Sequence, residues 1–149
     1  MTRVILVVIF GLGGLVAGCG SDSCEGACEC SGDSCVCPSA GDCLIDCVSD
    51  CDLQCAGSGN CDFVCGEACA VSCTGSGACI VDVGTGSTVS CPGAGGCDVA
   101  CHGDCGVSCT GSGACIVRCD PEVICDLTGC SGAVMSCPDG IAVCGGACP

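Results

Sequence analysis

Lysine, tryptophan and tyrosine are absent from this sequence of 149 residues, and arginine occurs only at positions 3 and 118. The only aromatic side chains are Phe10 and Phe63, so an aromatic-lined ligand pocket is nearly excluded. Seventeen acidic residues give a formal net charge of −15, which would repel phosphate groups and nucleic acid. The sequence therefore predicts no nucleic-acid partner and no nucleotide chemistry.

Cysteine and glycine are abundant instead, with 27 residues of each. Such a cysteine content is typical of exported chains in which disulfides compensate for a small hydrophobic core. Half of the residues count as hydrophobic, but more than a third of these are cysteines. The composition thus indicates one disulfide-rich domain in an oxidising compartment.

The first 18 residues have the features of a secretory signal peptide, with Arg3 followed by an apolar run over residues 4–12 and then by small residues. The run is too short to span a bilayer as a mature helix. Residues 16–19 (VAGC) resemble the lipobox of bacterial lipoproteins. The resemblance implies cleavage before Cys19 by signal peptidase II, after which Cys19 carries a diacylglycerol and an amine acylated with a fatty acid such as palmitate.

Lipid on Cys19 predicts a membrane partner and a location in the bacterial cell envelope. Two or more acyl chains anchor a protein stably, because each buried methylene contributes about 0.8 kcal/mol. By the same resemblance, Gly20 implies sorting to the outer membrane or the cell surface. The alternative is a plain signal peptide followed by an unrelated cysteine. Using Cys19 for lipid leaves an even number of cysteines for disulfides, which favours the lipoprotein.

An 18-residue repeat runs without gaps over residues 33–122 and gives five units. Each unit has two stretches in which a cysteine, an aliphatic residue and a second cysteine alternate with other residues, as in 105–109 (CGVSC) and 115–119 (CIVRC). A spacing of two places these three side chains on one face of a β-strand, so we expect them to point inward. Turns of three and five residues separate the strands, and we attribute their glycines to positive φ angles.

Two strands and two turns in every 18 residues predict an all-β fold, a small parallel β-solenoid of about five coils stapled by disulfides. We expect the solenoid over residues 37–125, with irregular cysteine-rich caps at 19–36 and 126–149. The alternative is an antiparallel meander of disulfide-bridged hairpins. Sequence identity recurs at 18 residues rather than at nine, which favours the solenoid.

The third repeat unit indicates which cysteines pair. Bridges across each turn and bridges between stacked coils both satisfy the Cα separation of about 4.4–6.8 Å that a disulfide needs. Val83 and Ser87 jointly replace two cysteines, as Glu29 and Asp33 do before the array, and joint loss is expected when two columns bond to each other. The predicted bridges across the turns join Cys37 with Cys43, Cys47 with Cys51, Cys55 with Cys61, Cys65 with Cys69, Cys73 with Cys79, Cys91 with Cys97, Cys101 with Cys105, and Cys109 with Cys115.

The cysteines outside these pairs are less constrained. Cys119 lacks its regular partner at position 123, and we expect it to bond to Cys125 instead. In the N-terminal cap, plausible pairs join Cys24 with Cys28 and Cys30 with Cys35. Three connectivities stay open for the last four cysteines, which are Cys130, Cys137, Cys144 and Cys148.

No constellation of catalytic residues is recognisable, so the sequence predicts neither an enzyme nor a cofactor. His102 is the only histidine and lies in a predicted turn beside Asp104, without a second base. The nucleophile motif GxSxG is missing, and the GSG triplets lack the Lys-Ser/Thr of a phosphate-binding loop. These residues are therefore expected to be turn residues.

Thiolate metal binding is the main alternative, since a chain this rich in cysteine superficially resembles a metallothionein. No CxxC occurs, and CxC occurs only at 28/30 and 35/37. Regular spacings across turns suit disulfides better, so we predict no metal site. Calcium is a further possibility because acids occupy outward strand positions, but the GGxGxD ligands of β-rolls are missing. These acids are Asp46, Asp62, Asp82 and Asp98.

The plan of small, cysteine-stapled coils is similar to that of insect β-solenoid antifreeze proteins, and this resemblance would imply ice binding. Their TxT rows are missing here, and the comparable polar column consists of Ser72, Ser90 and Ser108. We therefore predict a non-catalytic structural or binding module with a protein or glycan partner that the sequence does not identify. Thiol-based metal sequestration is the alternative function.

Overall fold

The computed structural model describes residues 23–26, 29–31, 33–37 and 39–149. Fifteen strands lie within these ranges, and a 3-10 helix at Pro138–Gly140 precedes the last of them. In chain order the strands are β1 (Ser23–Gly26), β2 (Glu29–Ser31), β3 (Ser34–Cys37), β4 (Cys43–Ser49), β5 (Asp52–Cys55), β6 (Cys61–Glu67), β7 (Ala70–Cys73), β8 (Cys79–Val83), β9 (Ser87–Ser90), β10 (Cys97–Cys101), β11 (Cys105–Ser108), β12 (Cys115–Cys119), β13 (Cys125–Thr128), β14 (Val134–Ser136) and β15 (Ile141–Cys144).

Successive strands from β3 to β13 alternate between two sheets and pair in parallel within each sheet. Sheet A contains β4, β6, β8, β10 and β12, and sheet B contains β3, β5, β7, β9, β11 and β13. Neighbours in sheet A are offset by one repeat, so that Cys61 lies opposite Cys43 and Cys79 lies opposite Cys61. The predicted parallel β-solenoid of about five coils is confirmed, and the described repeat is not an antiparallel meander.

The last coil is longer than the others. In sheet B, Cys105 pairs with Cys125 rather than with a residue 18 positions later. The cause is the turn at residues 120–124, which has five residues where the equivalent turns have three. This insertion moves the last cysteine of the column from position 123 to position 125 and keeps it in register.

The hydrophobic core is a narrow double column of aliphatic side chains with cysteines along both edges. Strand alternation turns every second residue inward, as the pattern BeBeB of Cys43–Cys47 shows. Each strand from β4 to β12 contributes one central apolar side chain, and these are at most 3% exposed. Sheet A provides Ile45, Phe63, Val81, Val99 and Val117, and sheet B provides Leu53, Val71, Val89 and Val107.

The five-residue turns stack so closely that most of their glycines, though not Gly41 or Gly96, have no room for a side chain. The N–H of Ser76 donates to the carbonyl oxygen of Gly57 in the preceding coil, at 3.0 Å. A Cβ on Gly77 would overlap the carbonyl oxygen of Gly59. Our expectation that these glycines supply positive φ is wrong for most of them, because among the described residues of these turns only Gly41 has a positive φ, of 97°. Close approach of the backbones is the physical reason instead.

Positive φ angles occur in the three-residue turns, and mostly at residues other than glycine. The angle is 60° at Asp50, 56° at Ala68 and 79° at Gly86. This conformation directs the amide of each residue toward the next coil, where the N–H of Ala68 donates to the carbonyl oxygen of Thr85 at 3.0 Å. The short turns thus continue the backbone hydrogen bonding of the sheets.

Antiparallel strands cover the N-terminal end of both sheets and the C-terminal end of sheet A, whereas β13 is the edge strand of sheet B. At the N-terminal end β1 pairs with β4 and β2 pairs with β3, and at the C-terminal end β15 pairs with β12 and β14 pairs with β15. The caps are thus more regular than expected from the sequence. Such strands take up the unpaired backbone groups of a terminal coil, which otherwise invite pairing with other chains.

Candidate functional site

Disulfide bridges form one ladder along each edge of the solenoid. Their Cα separations lie between 5.8 and 6.6 Å, within the range of disulfides generally. All sixteen cysteines from Cys37 to Cys115 in these bridges are at most 6% exposed. The edge of five-residue turns joins Cys37 with Cys43, Cys55 with Cys61, Cys73 with Cys79, Cys91 with Cys97, and Cys109 with Cys115. The edge of three-residue turns joins Cys47 with Cys51, Cys65 with Cys69, Cys101 with Cys105, and, across its longer last turn, Cys119 with Cys125.

The eight bridges from Cys37 to Cys115 are the ones that the joint loss at Val83 and Ser87 predicts, and the expected bond of Cys119 to Cys125 is also confirmed. The structure also shows how the molecule accommodates that loss. Val83 is fully buried between the cysteine positions of the neighbouring coils, opposite Cys65 and Cys101. Ser87 is 1% exposed, and its hydroxyl oxygen accepts the N–H of Cys69 at 3.1 Å. The buried side chain of Val83 and the hydrogen-bonded hydroxyl of Ser87 therefore occupy the space of the missing bridge.

A Val83→Cys, Ser87→Cys double variant should form the missing bridge. The two positions are in register with bonded cysteines above and below, so the new side chains start close to disulfide geometry. By the chain-entropy model a short loop of this kind stabilises the fold by about 2 kcal/mol. Thermal unfolding should occur at a higher temperature, and the non-reduced mass should show two fewer hydrogens than the dithiol form. The single variant Val83→Cys is the control. A double variant in which both new cysteines remain free thiols would contradict the register of β8 and β9 with the neighbouring strands.

The two C-terminal bridges join Cys130 with Cys144 and Cys137 with Cys148, at Cα separations of 5.6 and 5.8 Å. This selects one of the three connectivities that the sequence leaves open. The reason is spatial, because β15 returns antiparallel to β12 and carries Cys144 back to the end of the core.

Several predicted sites at the N-terminus lie outside the described residues or side chains. Cys35 is disulfide-bonded, and the pairing of β2 with β3 places it opposite Cys30, its predicted partner. The side chains of Cys24 and Cys30 are not among those described. Cys28 and the predicted lipid attachment site Cys19 lie outside the described residues.

Three groups of three sulfur atoms lie within 4.8 Å of one another. Each group consists of one complete bridge and one sulfur of the adjacent bridge, and all of its cysteines are disulfide-bonded. Metal ions bind thiolates, and a bonded sulfur is not a thiolate. In this oxidised form the groups therefore offer no thiolate ligands. The groups are Cys47, Cys65 and Cys69; Cys73, Cys91 and Cys97; and Cys101, Cys105 and Cys125.

On the outer face of sheet A, aspartates and aliphatic side chains alternate from coil to coil. Asp62 lies between Leu44 and Ile80, and Asp82 has Val64 on one side. The four outward aspartates therefore follow a zigzag along the face rather than converging on one point. At the C-terminal end of the face, the guanidinium of Arg118 donates to the carboxylate of Asp98. This geometry does not assemble a set of calcium ligands.

Between β7 and β11, the outer face of sheet B carries small and hydroxyl side chains. The predicted serine column continues through Ser90 and Ser108 to Thr128. Beside it, Ala70 and Gly106 leave a shallow groove of about 340 Å³. No titratable side chain lines this groove, so it provides neither an acid nor a base.

His102 contacts an aspartate one repeat away rather than its sequence neighbour Asp104. Its Nδ1 lies 3.0 Å from Oδ2 of Asp120, and the two side chains are 56% and 53% exposed. Asp104, the sequence neighbour, instead accepts the N–H of Ile124 at 2.9 Å. Asp120 is 18 residues after His102, so the repeat itself was the signal that could have identified the pair. A histidine–aspartate contact this exposed has no enclosing pocket in which to activate a nucleophile.

Among the described residues, no helix is both long and apolar enough to cross a membrane. The chain matches no protein-family model, no curated protein and no solved structure. Arguments about its function therefore depend on the disulfide-bonded solenoid and on the residues themselves.

Proposed function

We propose that this protein is an exported, lipid-anchored module of the bacterial cell envelope with a non-catalytic structural or binding role. The observation that carries the proposal is the pair of buried disulfide ladders. Such a dense set of bridges forms and persists in oxidising compartments outside the cytosol. A disulfide-rich solenoid fits a stabilised structural or binding module.

The lipobox-like residues 16–19 support the anchoring part of the proposal. Lipid on Cys19 would hold the chain at a membrane surface, with the solenoid outside the bilayer. Five coils stacked at about 4.8 Å form a rod of roughly 24 Å. Disulfides close each coil at both edges, except at Val83 and Ser87. Few backbone segments can therefore unfold locally and be cleaved by proteases.

The acidic, alternating face of sheet A and the hydroxyl-rich face of sheet B are the surfaces on which a partner could bind. The groove on sheet B is lined by no titratable side chain, and an open hollow of about 420 Å³ at the edge of sheet A is lined by two aspartates, Asp42 and Asp62, with no basic side chain beside them. We therefore propose that the solenoid is a stable rod whose two flat faces are binding surfaces, and we assign no reaction to the chain.

Anchoring is tested by producing the full chain in a bacterium with two membranes and partitioning the extract with a phase-separating detergent. We expect wild-type protein in the detergent phase, with an intact mass that includes lipid at Cys19. Cys19→Ser should move the protein to the aqueous phase or leave the signal segment uncleaved. Ser21→Ala is the matched control and should behave as wild type. An unmodified Cys19 in the wild-type protein would overturn the lipoprotein proposal.

The alternative role, thiol-based metal sequestration, is distinguished by titrating free thiols in protein isolated without reductant. A thiol content near zero supports the disulfide scaffold. Many free thiols together with bound zinc or copper in the same preparation would overturn the scaffold and favour metal sequestration.

A further inference from the structure

The bridges of this molecule differ sharply in how accessible their sulfur atoms are. In the ladders, the sixteen cysteines from Cys37 to Cys115 are at most 6% exposed. Cys148 is exposed and Cys137 is half-buried, which makes their bridge the only one among the described bridges with an exposed cysteine. Thiol–disulfide exchange requires in-line access of a thiolate to a bonded sulfur. The C-terminal bridge therefore meets a requirement that the eight bridges of these sixteen buried cysteines do not.

Opening this bridge would leave the solenoid closed. The Cys137–Cys148 bridge ties the end of β14 to residues 145–149, outside the parallel stack. Strand β15 lies between these two cysteines in the chain and is held in place independently of their bridge. It is held by the bridge of Cys130 to the buried Cys144 and by its pairing with β12. The three residues of β14 are exposed and add no side chain to the core. Loss of the bridge thus releases a surface segment without uncovering the aliphatic columns.

We propose that Cys137–Cys148 is a dithiol-exchange site, a bridge that a dithiol reductant opens selectively while the repeat bridges remain oxidised. The co-reactant is a dithiol, either a small molecule or the paired cysteines of a thiol–disulfide oxidoreductase. The small molecule and the oxidoreductase would reduce the Cys137–Cys148 bond by the same thiol–disulfide exchange. The proposal is independent of whether Cys19 carries lipid.

The exchange takes two steps. A thiolate of the dithiol attacks Sγ of the exposed Cys148, a mixed disulfide forms, and the Cys137 sulfur leaves as a thiolate that takes up a proton. The second thiol of the dithiol loses its proton and attacks the first sulfur of the same dithiol, which is bonded to Cys148 in the mixed disulfide. This step releases Cys148 as a thiolate, which takes up a proton. Two electrons pass from the dithiol to the bridge, the dithiol becomes a cyclic disulfide, and Cys137 and Cys148 become free thiols.

Attack on the eight buried ladder bridges is slower because their cysteines, at most 6% exposed, become accessible only when the fold opens locally. The half-buried bridge of Cys119 with Cys125 is the ladder member with the greatest access, which makes it the appropriate comparison.

Graded reduction tests the proposal on the full chain. Native protein is treated with dithiothreitol for increasing times, free thiols are capped with a maleimide, and labelled cysteines are identified by peptide mass mapping. We expect Cys137 and Cys148 to be labelled at least about tenfold faster than the repeat cysteines, because the latter require local opening. Far-UV circular dichroism should be unchanged after this first phase. Equal rates at Cys119 and Cys125, or earlier labelling of the repeat, would overturn the selectivity.

Two double variants provide the controls. Cys137→Ser with Cys148→Ser should abolish the fast phase and leave the slow labelling of the repeat as in wild type. Cys119→Ser with Cys125→Ser should retain the fast phase. Persistence of fast labelling in the first variant would assign it to another bridge and overturn the proposal. Repeating the wild-type experiment with a reduced thiol–disulfide oxidoreductase distinguishes a protein dithiol from a small-molecule one, since a small-molecule site reacts with dithiothreitol alone.

Discussion

Full reduction of the disulfides should unfold the solenoid, with loss of the β-sheet signal in far-UV circular dichroism. The core is only two side chains wide, and each strand contributes a single central aliphatic residue. Each ladder bridge closes a loop with a sequence separation of four or six residues. Such a short loop contributes about 2 kcal/mol by the chain-entropy model. Eight of them together exceed the roughly 5–15 kcal/mol of net stability of an ordinary domain.

The measurement requires complete reduction, which is checked by intact mass after alkylation. Reduction in denaturant, alkylation and removal of denaturant should give a chain that does not regain the spectrum. Protein carried through the same denaturant without reductant is the control and should refold. A reduced, alkylated chain with the native spectrum would mean that backbone pairing and aliphatic burial suffice, contrary to our expectation.

Gly77→Ala should destabilise the protein strongly although it adds one methyl group. A Cβ at this position would overlap the carbonyl oxygen of Gly59 in the preceding coil. Backbone atoms do not swing aside as a flexible side chain does, so the coils must separate locally and lose the turn hydrogen bond from Ser76 to Gly57. Overpacking of this kind costs about 3 kcal/mol, which corresponds to a melting temperature lower by roughly 6–12 °C in a domain of this size.

Gly106→Ala is the matched control for this variant. Gly106 also lies in the repeat, but a Cβ there meets only the Thr88 methyl group, at 3.9 Å. The substitution should be neutral, or stabilising by up to about 1 kcal/mol, because glycine in a strand is less favourable than alanine. Melting temperatures measured with all disulfides intact compare the two variants. Similar values for both would show that the turns are not close-packed.

The repeat made most of the fold predictable. Stacking identical 18-residue units in parallel places each residue opposite its own equivalent, so the inward columns and the two edges follow from spacing alone. The bonding of the two edge columns followed from Val83 and Ser87, because residues that bond to each other tend to be lost together. Differences between the repeat units of a single chain thus reveal which columns are bonded.

Other features were not predictable, because they depend on distances between coils. The glycines of the five-residue turns are explained by backbone contact, as at Gly77 and Gly59, and a single sequence shows only that glycine recurs. His102 pairs with Asp120 across one coil rather than with nearby Asp104. A local reading of the chain favours sequence neighbours, whereas a solenoid brings together residues one repeat apart.

The fold class, the strand register and the bridges of the repeat follow from the 18-residue spacing, because a regular spacing turns a one-dimensional pattern into a stacked one. The connectivity of the last four cysteines and their exposure depend instead on how the chain folds back on itself. Beyond residue 125 the repeat stops, and the direction in which β15 returns determines which sulfur atoms meet and which face solvent.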